Sequence, residues 1–167
     1  MNSPVKPTGL LVIGYGNTLR RDDGLGPKVA ESVAGLALPD VRTLIAQQLS
    51  PEHADPISQA ETVIFVDASV EESDAVQFRS LAPRESCQLL AHAADPRTML
   101  ALARDVFGHV PQAWWLTVPA RTLEFGETLS PAAQRGLEEA VKRIREFVKA
   151  GGWQGGDEIA AKSAGSP

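Results

Sequence analysis

Short apolar runs alternate along this chain with segments whose apolar residues recur at helical spacing. Residues 10–13 form an unbroken apolar run that stops at Gly14-Tyr15-Gly16, the pattern of a buried strand opening into a loop. Beyond Gly26, Val29, Val33 and Leu36 mark one face of a helix, with Pro27 tolerated in its first turn. Val41–Ala46 reads as a second strand. Ser50-Pro51 has the form of an N-cap followed by a first-turn proline, and Pro56 then makes this helix short, kinked or displaced toward Ile57. Residues 62–66 are β-branched and aromatic, bounded by Asp67, and give the clearest buried strand.

Residues 75–81 alternate moderately and follow only a short acidic turn. That gap is too small for a parallel crossover, so an antiparallel edge strand is predicted. Asp95-Pro96 opens a helix with Met99, Leu102 or Ala103, and Val106 inward, stopped by Gly108. Residues 114–118 form another buried strand, with Trp114 and Trp115 on opposite faces. Ser130-Pro131 starts the longest helix, with Leu137, Val141, Ile144 and Phe147 or Val148 on one side and Gly151-Gly152 at its end. Residues 154–167 are small and polar, and are expected to stay disordered and dispensable for folding.

Strands alternating with helices imply an α/β three-layer sandwich: a mostly parallel, twisted five-stranded sheet with one antiparallel strand and helices on both faces. The length of 167 residues suits a single domain over residues 1–153 followed by the polar tail. Aromatics are only 5% of residues, so the core is expected to be aliphatic. A net charge of −5 with no basic block argues against a nucleic-acid partner. The apolar runs are too short to cross a bilayer, the first residues lack a signal-peptide core, and Cys87 is the only cysteine. A soluble, cytoplasmic monomer without membrane association is the expectation.

Functional sites in open α/β sheets lie beyond the carboxyl ends of the strands. Asp22 and Asp23 follow the first strand, Asp67 ends the third, and His92 lies ahead of the helix opened by Asp95. Two carboxylates and an imidazole suit a divalent first-row metal and leave positions open for a substrate. Each residue also has a plainer role available. A strand-end Asp is often a cap or turn acceptor, a lone loop His is often structural, and one of Asp22 and Asp23 is expected to serve as a turn or cap acceptor.

Gly14-x-Gly16 resembles the start of a dinucleotide fingerprint, but Leu19 stands where the third glycine belongs, and two aspartates occupy the turn where a pyrophosphate would sit. Cys87 lacks an evident group to lower its pKa and reads as structural. His53 and His109 read as surface residues. Serine-hydrolase elbows and zincin helices are absent from the sequence.

The ordered set Gly14-Tyr15-Gly16-Asn17-Thr18-Leu19, Asp22-Asp23-Gly24-Leu25-Gly26, Val63-Ile64-Phe65-Val66-Asp67-Ala68, His92, Leu116-Thr117-Val118-Pro119 and Leu129-Ser130-Pro131-Ala132 is similar to the motifs of the hydrogenase maturation proteases. The likeness spans residues 10–148. It implies a metal site made from Asp23, Asp67 and His92, used as both metal ligands and catalytic residues. The metal implied is nickel already seated in the substrate, a hydrogenase large-subunit precursor whose C-terminal extension is cleaved once the metal is in place. Some relatives carry His at the position of Gln47, a departure that leaves the three ligands untouched. Asp22 is a weak candidate general base and a better candidate cap for the helix near Gly26. A nickel sensor or assembly factor without protease activity is the principal alternative, and a small nucleotide-binding module a second. Because such ligands repel one another when no metal is bound, removing one is expected to cost at most ~1 kcal/mol of stability.

Overall fold

The computed structural model of the protein describes residues 6–71, 73–85 and 94–152. Within them the strands are β1 (Leu10–Tyr15), β2 (Val41–Ala46), β3 (Thr62–Ser69), β4 (Gln77–Leu81) and β5 (Gln112–Pro119). The helices are α1 (Leu25–Gly35), α2 (Ala54–Ser58), α3 (Pro96–Phe107) and α4 (Pro131–Lys149). Short 3-10 turns over Arg21–Gly24 and Pro51–His53 lead into α1 and α2.

The five strands lie in the order β2-β1-β3-β5-β4. All pairings are parallel except β4 with β5, so the predicted antiparallel strand is present and stands at one edge. It is two residues shorter than the alternation suggested, and its partner is β5 rather than the strand that precedes it in sequence.

Period-2 alternation divides the apolar strand residues between two cores. Leu10, Val12, Ile64, Val66, Leu116 and Val118 face α1 and α4, whereas Leu11, Ile13, Val63 and Phe65 face α2 and α3. The two tryptophans separate as expected. Trp114 stacks on Phe78 at 5.2 Å and meets Phe147 edge-on, while Trp115 lies on the other face beneath the Arg79 guanidinium.

Helix starts follow the capping chemistry read from sequence. The Asp95 side chain accepts from Arg97 N at 2.8 Å, and Ser130 Oγ accepts from Ala133 N at 3.1 Å. Ser50 caps the 3-10 turn, with His53 Nδ1 accepting in return from the Ser50 amide at 2.9 Å. Pro56 sits inside α2, whose single turn is as short as that proline predicts.

Some expected core positions face water. Leu36 ends its stripe exposed because α1 stops at Gly35, and Val106 is 65% exposed because it falls on the outer side of α3. Leu25 and Ala30 are buried on α1 instead, and Leu100 fills the interior of α3.

The glycines of the first loop are explained by close packing. A Cβ on Gly14 would stand 2.0 Å from the Gly26 carbonyl oxygen, so the pair lets the first turn of α1 press against the sheet. Gly16 has φ 146°, and a Cβ there would meet the Asp23 carbonyl oxygen at 2.0 Å. Both positions serve backbone contact within the protein rather than the approach of a phosphate, which leaves the nucleotide reading without support.

Candidate active site

Strand order reverses direction at β1: the chain leaves β1 for β2 on one side and later returns to β3 on the other. Crevices in open α/β sheets form at such a switch point, beyond the carboxyl ends of the strands. The β1–β3 ladder ends at Gly14↔Val66, whereas β3 remains paired with β5 through Ser69↔Pro119. Asp67 is the first residue past the β1 ladder. It therefore lies inside β3 and not at its end, because pairing with β5 carries the strand on to Ser69, beyond its apolar run.

By alternation the Asp67 side chain shares the α2/α3 face with Val63 and Phe65. Tyr15, the last residue of β1, shares that face with Leu11 and Ile13, and its hydroxyl donates to Asp67 Oδ2 at 3.1 Å. Asp23 is half-buried in the 3-10 turn before α1, and its Oδ2 accepts from the Asn17 amide at 2.9 Å. That hydrogen bond ties Asp23 back to the loop leaving β1.

Electrostatics joins the two carboxylates. The Asp67 pKa is raised to about 6, chiefly by burial and also by the negative charge of Asp23, against the lowering effect of the Tyr15 hydrogen bond. The Tyr15 hydroxyl is itself pushed well above its ordinary value, first by burial and then by the Asp67 charge. A carboxylate whose charged form is disfavoured by burial and by a neighbouring negative charge is what a bound cation relieves. Their hard oxygen donors fit a divalent first-row ion.

His92 and Cys87 lie outside the described residues. The residues flanking the His92 segment are anchored at the start of α3. Arg84 Nε donates to Asp95 Oδ2 at 3.0 Å, the Arg84 amide donates to Arg97 O at 3.2 Å, and Arg104 Nη1 donates to Arg84 O at 3.2 Å. Asp95 is near enough to Tyr15 for its charge to raise the tyrosine pKa. Both ends of the His92 segment thus sit on the Asp67 side of the sheet. Among the described residues no group of three metal-ligating side chains forms; the crevice supplies two carboxylates.

Asp22 does something other than either expectation. It is fully buried, and α1 begins at Leu25 without a side-chain cap. Its Oδ2 accepts from the amides of Arg121 (2.8 Å) and Thr122 (3.1 Å) and from Ser130 Oγ (2.8 Å), and its Oδ1 accepts from the Ser130 amide (2.8 Å). Burial raises its pKa, but the donors from Ser130, Arg121 and Thr122 outweigh that and hold the carboxyl below its ordinary value. With both oxygens engaged Asp22 has no capacity left as a general base. It knots the first loop to the 120s loop and the start of α4, a contact across about 100 residues that local sequence patterns do not reveal.

The remaining histidines are half-buried rather than freely exposed. His53 completes the Ser50 capping box, and His109 Nε2 lies 3.1 Å from the Ala60 carbonyl oxygen. The one site residue that sequence reasoning passed over is Tyr15. The apolar run ended at Ile13 and left Tyr15 in the loop, whereas β1 runs on to Tyr15, and its pairing with Asp67 depends on the β1–β3 register.

No protein-family model matches this chain, and no curated protein does. Solved structures do. A NiFe hydrogenase maturation protease HycI from Thermococcus kodakarensis KOD1 superposes with a TM-score of 0.67 at 22% identity, over 85% of this chain and 93% of that one. The hydrogenase maturating endopeptidase HybD from E. coli gives a TM-score of 0.62 at 22% identity, over 86% and 94%. A hydrogenase 2 maturation peptidase from a Thaumarchaeota archaeon gives 0.62 at 22%, over 84% and 97%. The chain has the α/β fold of the hydrogenase maturation proteases across nearly its whole described length.

Proposed function

We propose that this protein is an endopeptidase that removes the C-terminal extension of a nickel-loaded hydrogenase large-subunit precursor. Asp23, Asp67 and His92 recognise the nickel carried by that substrate. The observation that supports the reading most is the buried Asp67 carboxylate, acted on by the Asp23 charge and set at the topological switch point of a fold shared with several maturation peptidases. A divalent ion held there would supply Lewis-acid polarisation of the scissile carbonyl or an activated water.

The residues of this chain do the rest. Asn17 holds Asp23 toward the crevice, and Tyr15 holds Asp67. The Asp22 knot fixes the loop that carries Asp23. Metal recognition before cleavage would make processing conditional on a completed substrate, which suits an enzyme acting at the last step of an assembly.

The shared-site assignment is tested by Asp23→Asn and His92→Ala. Both variants are expected to fold and to melt within a few degrees of wild type; Asp23 is half-buried and belongs to neither core. Both are expected to lose precursor cleavage, followed by electrophoresis of the large subunit. Cleavage at the wild-type rate by either folded variant contradicts the assignment.

A further inference from the structure

We infer that Tyr15 is a positioning residue that fixes the orientation of the Asp67 carboxylate through its hydroxyl. The inference rests on the reading of Asp67 as a metal-recognising residue, and it adds a component that the two-carboxylate set does not contain.

Three observations carry it. The first is register. The β1–β3 ladder stops at Gly14↔Val66, so Tyr15 and Asp67 are the next cross-strand neighbours, and no backbone pairing with β1 constrains Asp67. A bond between side chains, 3.1 Å from Oη to Oδ2, takes the place of the missing ladder contact.

The second is rigidity. Tyr15 is 9% exposed and packs in the core between the sheet and α2/α3, so its hydroxyl is delivered from a fixed ring. A Tyr side chain has two torsions, and burial in this core restrains both.

The third lies behind the tyrosine. Trp115 shares the same face, opposite Phe65 on β3, and its indole N–H is buried without a hydrogen-bond partner. Buried indole N–H groups ordinarily find an acceptor. The Trp115 indole is close enough to act on the Tyr15 hydroxyl as a donor. A small shift would complete a chain from the Trp115 N–H to Tyr15 Oη and from the Tyr15 O–H to Asp67 Oδ2, with each proton donated in one direction. With Oδ2 held in this way, the orientation of the other Asp67 oxygen in the crevice is set.

Groups that orient a ligand carboxylate without touching the metal typically change affinity or activity by roughly 10–100-fold when removed. Tyr15→Phe deletes only the hydroxyl and keeps the ring. The test reads two quantities on wild type and Tyr15→Phe. One is the Asp67 χ1 population, from three-bond couplings to Cγ in isotope-labelled protein without metal. The other is kcat and KM for cleavage of the nickel-loaded precursor.

The expected result is one dominant Asp67 rotamer in wild type and averaging between rotamers in Tyr15→Phe. With it, kcat should fall by roughly 10–100-fold while the fold and melting behaviour persist. An Asp67 that keeps its single rotamer in Tyr15→Phe overturns the inference, as does cleavage at the wild-type kcat. Failure of wild type itself to cleave the precursor defeats the proposed function instead. The rotamer measurement, which needs neither metal nor substrate, then still decides whether Tyr15 positions Asp67.

Discussion

Replacing Asp22 with alanine is expected to destabilise the protein by at least about 4 kcal/mol, since a buried donor left unpaired costs about 1–3 kcal/mol and this change strands several. The amides of Arg121, Thr122 and Ser130 all point at this one carboxylate, together with the Ser130 hydroxyl. Asp22→Asn keeps the shape but turns an NH2 group toward donors, and should cost about 2 kcal/mol. Urea denaturation at pH 7 measures both.

The pH dependence has a definite sign. The folded pKa of Asp22 is depressed, so the stability it contributes is fully present above the ordinary carboxylate value near 3.8 and is lost as pH falls through the folded value. In Asp22→Asn that part of the acid sensitivity should disappear. A loss below 1 kcal/mol for Asp22→Ala would contradict the knot and would return Asp22 to the rank of an ordinary helix cap.

Asp67→Asn is expected to do the opposite to stability while abolishing processing. Burial and the neighbouring Asp23 charge hold Asp67 near pKa 6 in the folded protein, against an ordinary 3.8. Its folded pKa is raised, so the wild-type fold is favoured below the unfolded value and loses that advantage as pH rises through about 6. Asparagine imitates the neutral carboxyl and can still accept from the Tyr15 hydroxyl. At roughly 1.4 kcal/mol per pH unit the full difference approaches ~3 kcal/mol, and solvent at the rim reduces it to about 2 kcal/mol.

Melting curves at several pH values should therefore show Asp67→Asn equal to wild type near pH 3.5 and more stable at pH 7, with the gap opening between. A variant less stable than wild type at pH 7 would mean that the Asp67 carboxylate is structural. Improved stability together with lost function is what a strained recognition site predicts, since such a site keeps like charges together for a ligand not yet bound. The sequence-based expectation of a small effect counted ligand repulsion alone, and the burial of Asp67 enlarges the effect now expected.

Elements with a strong local signal were legible before any coordinates. The strand runs starting at Leu10 and Thr62, the caps Asp95 and Ser130 and the split of Trp114 from Trp115 follow from periodicity and from donors within a few residues. The strand-end rule put Asp22, Asp23, Asp67 and His92 at one rim; the Asp23 charge acts on Asp67, Asp22 is engaged by residues 121–130 instead, and His92 lies outside the described residues. Features resting on register or on distant contacts were not legible. Pairing with β5 rather than β1 decides that β3 runs on to Ser69. Residues 121–130 decide that Asp22 is a knot and not the cap of α1. Val106 failed as a core residue because helical spacing fixes a stripe but not how far the neighbouring layer extends over it.

Cleavage of a metal-loaded precursor is read out by the mass of its products. Purified protein is incubated with a hydrogenase large-subunit precursor, once with its nickel in place and once without, and both mixtures are weighed by intact-mass spectrometry. Two fragments from the nickel-loaded precursor, together one water heavier than the starting chain, with the nickel-free precursor left intact, is the predicted result. A nickel-loaded precursor that stays whole beside the folded protein would contradict the claim, and retention of nickel in a stable complex of the two would identify a sensor or assembly factor instead.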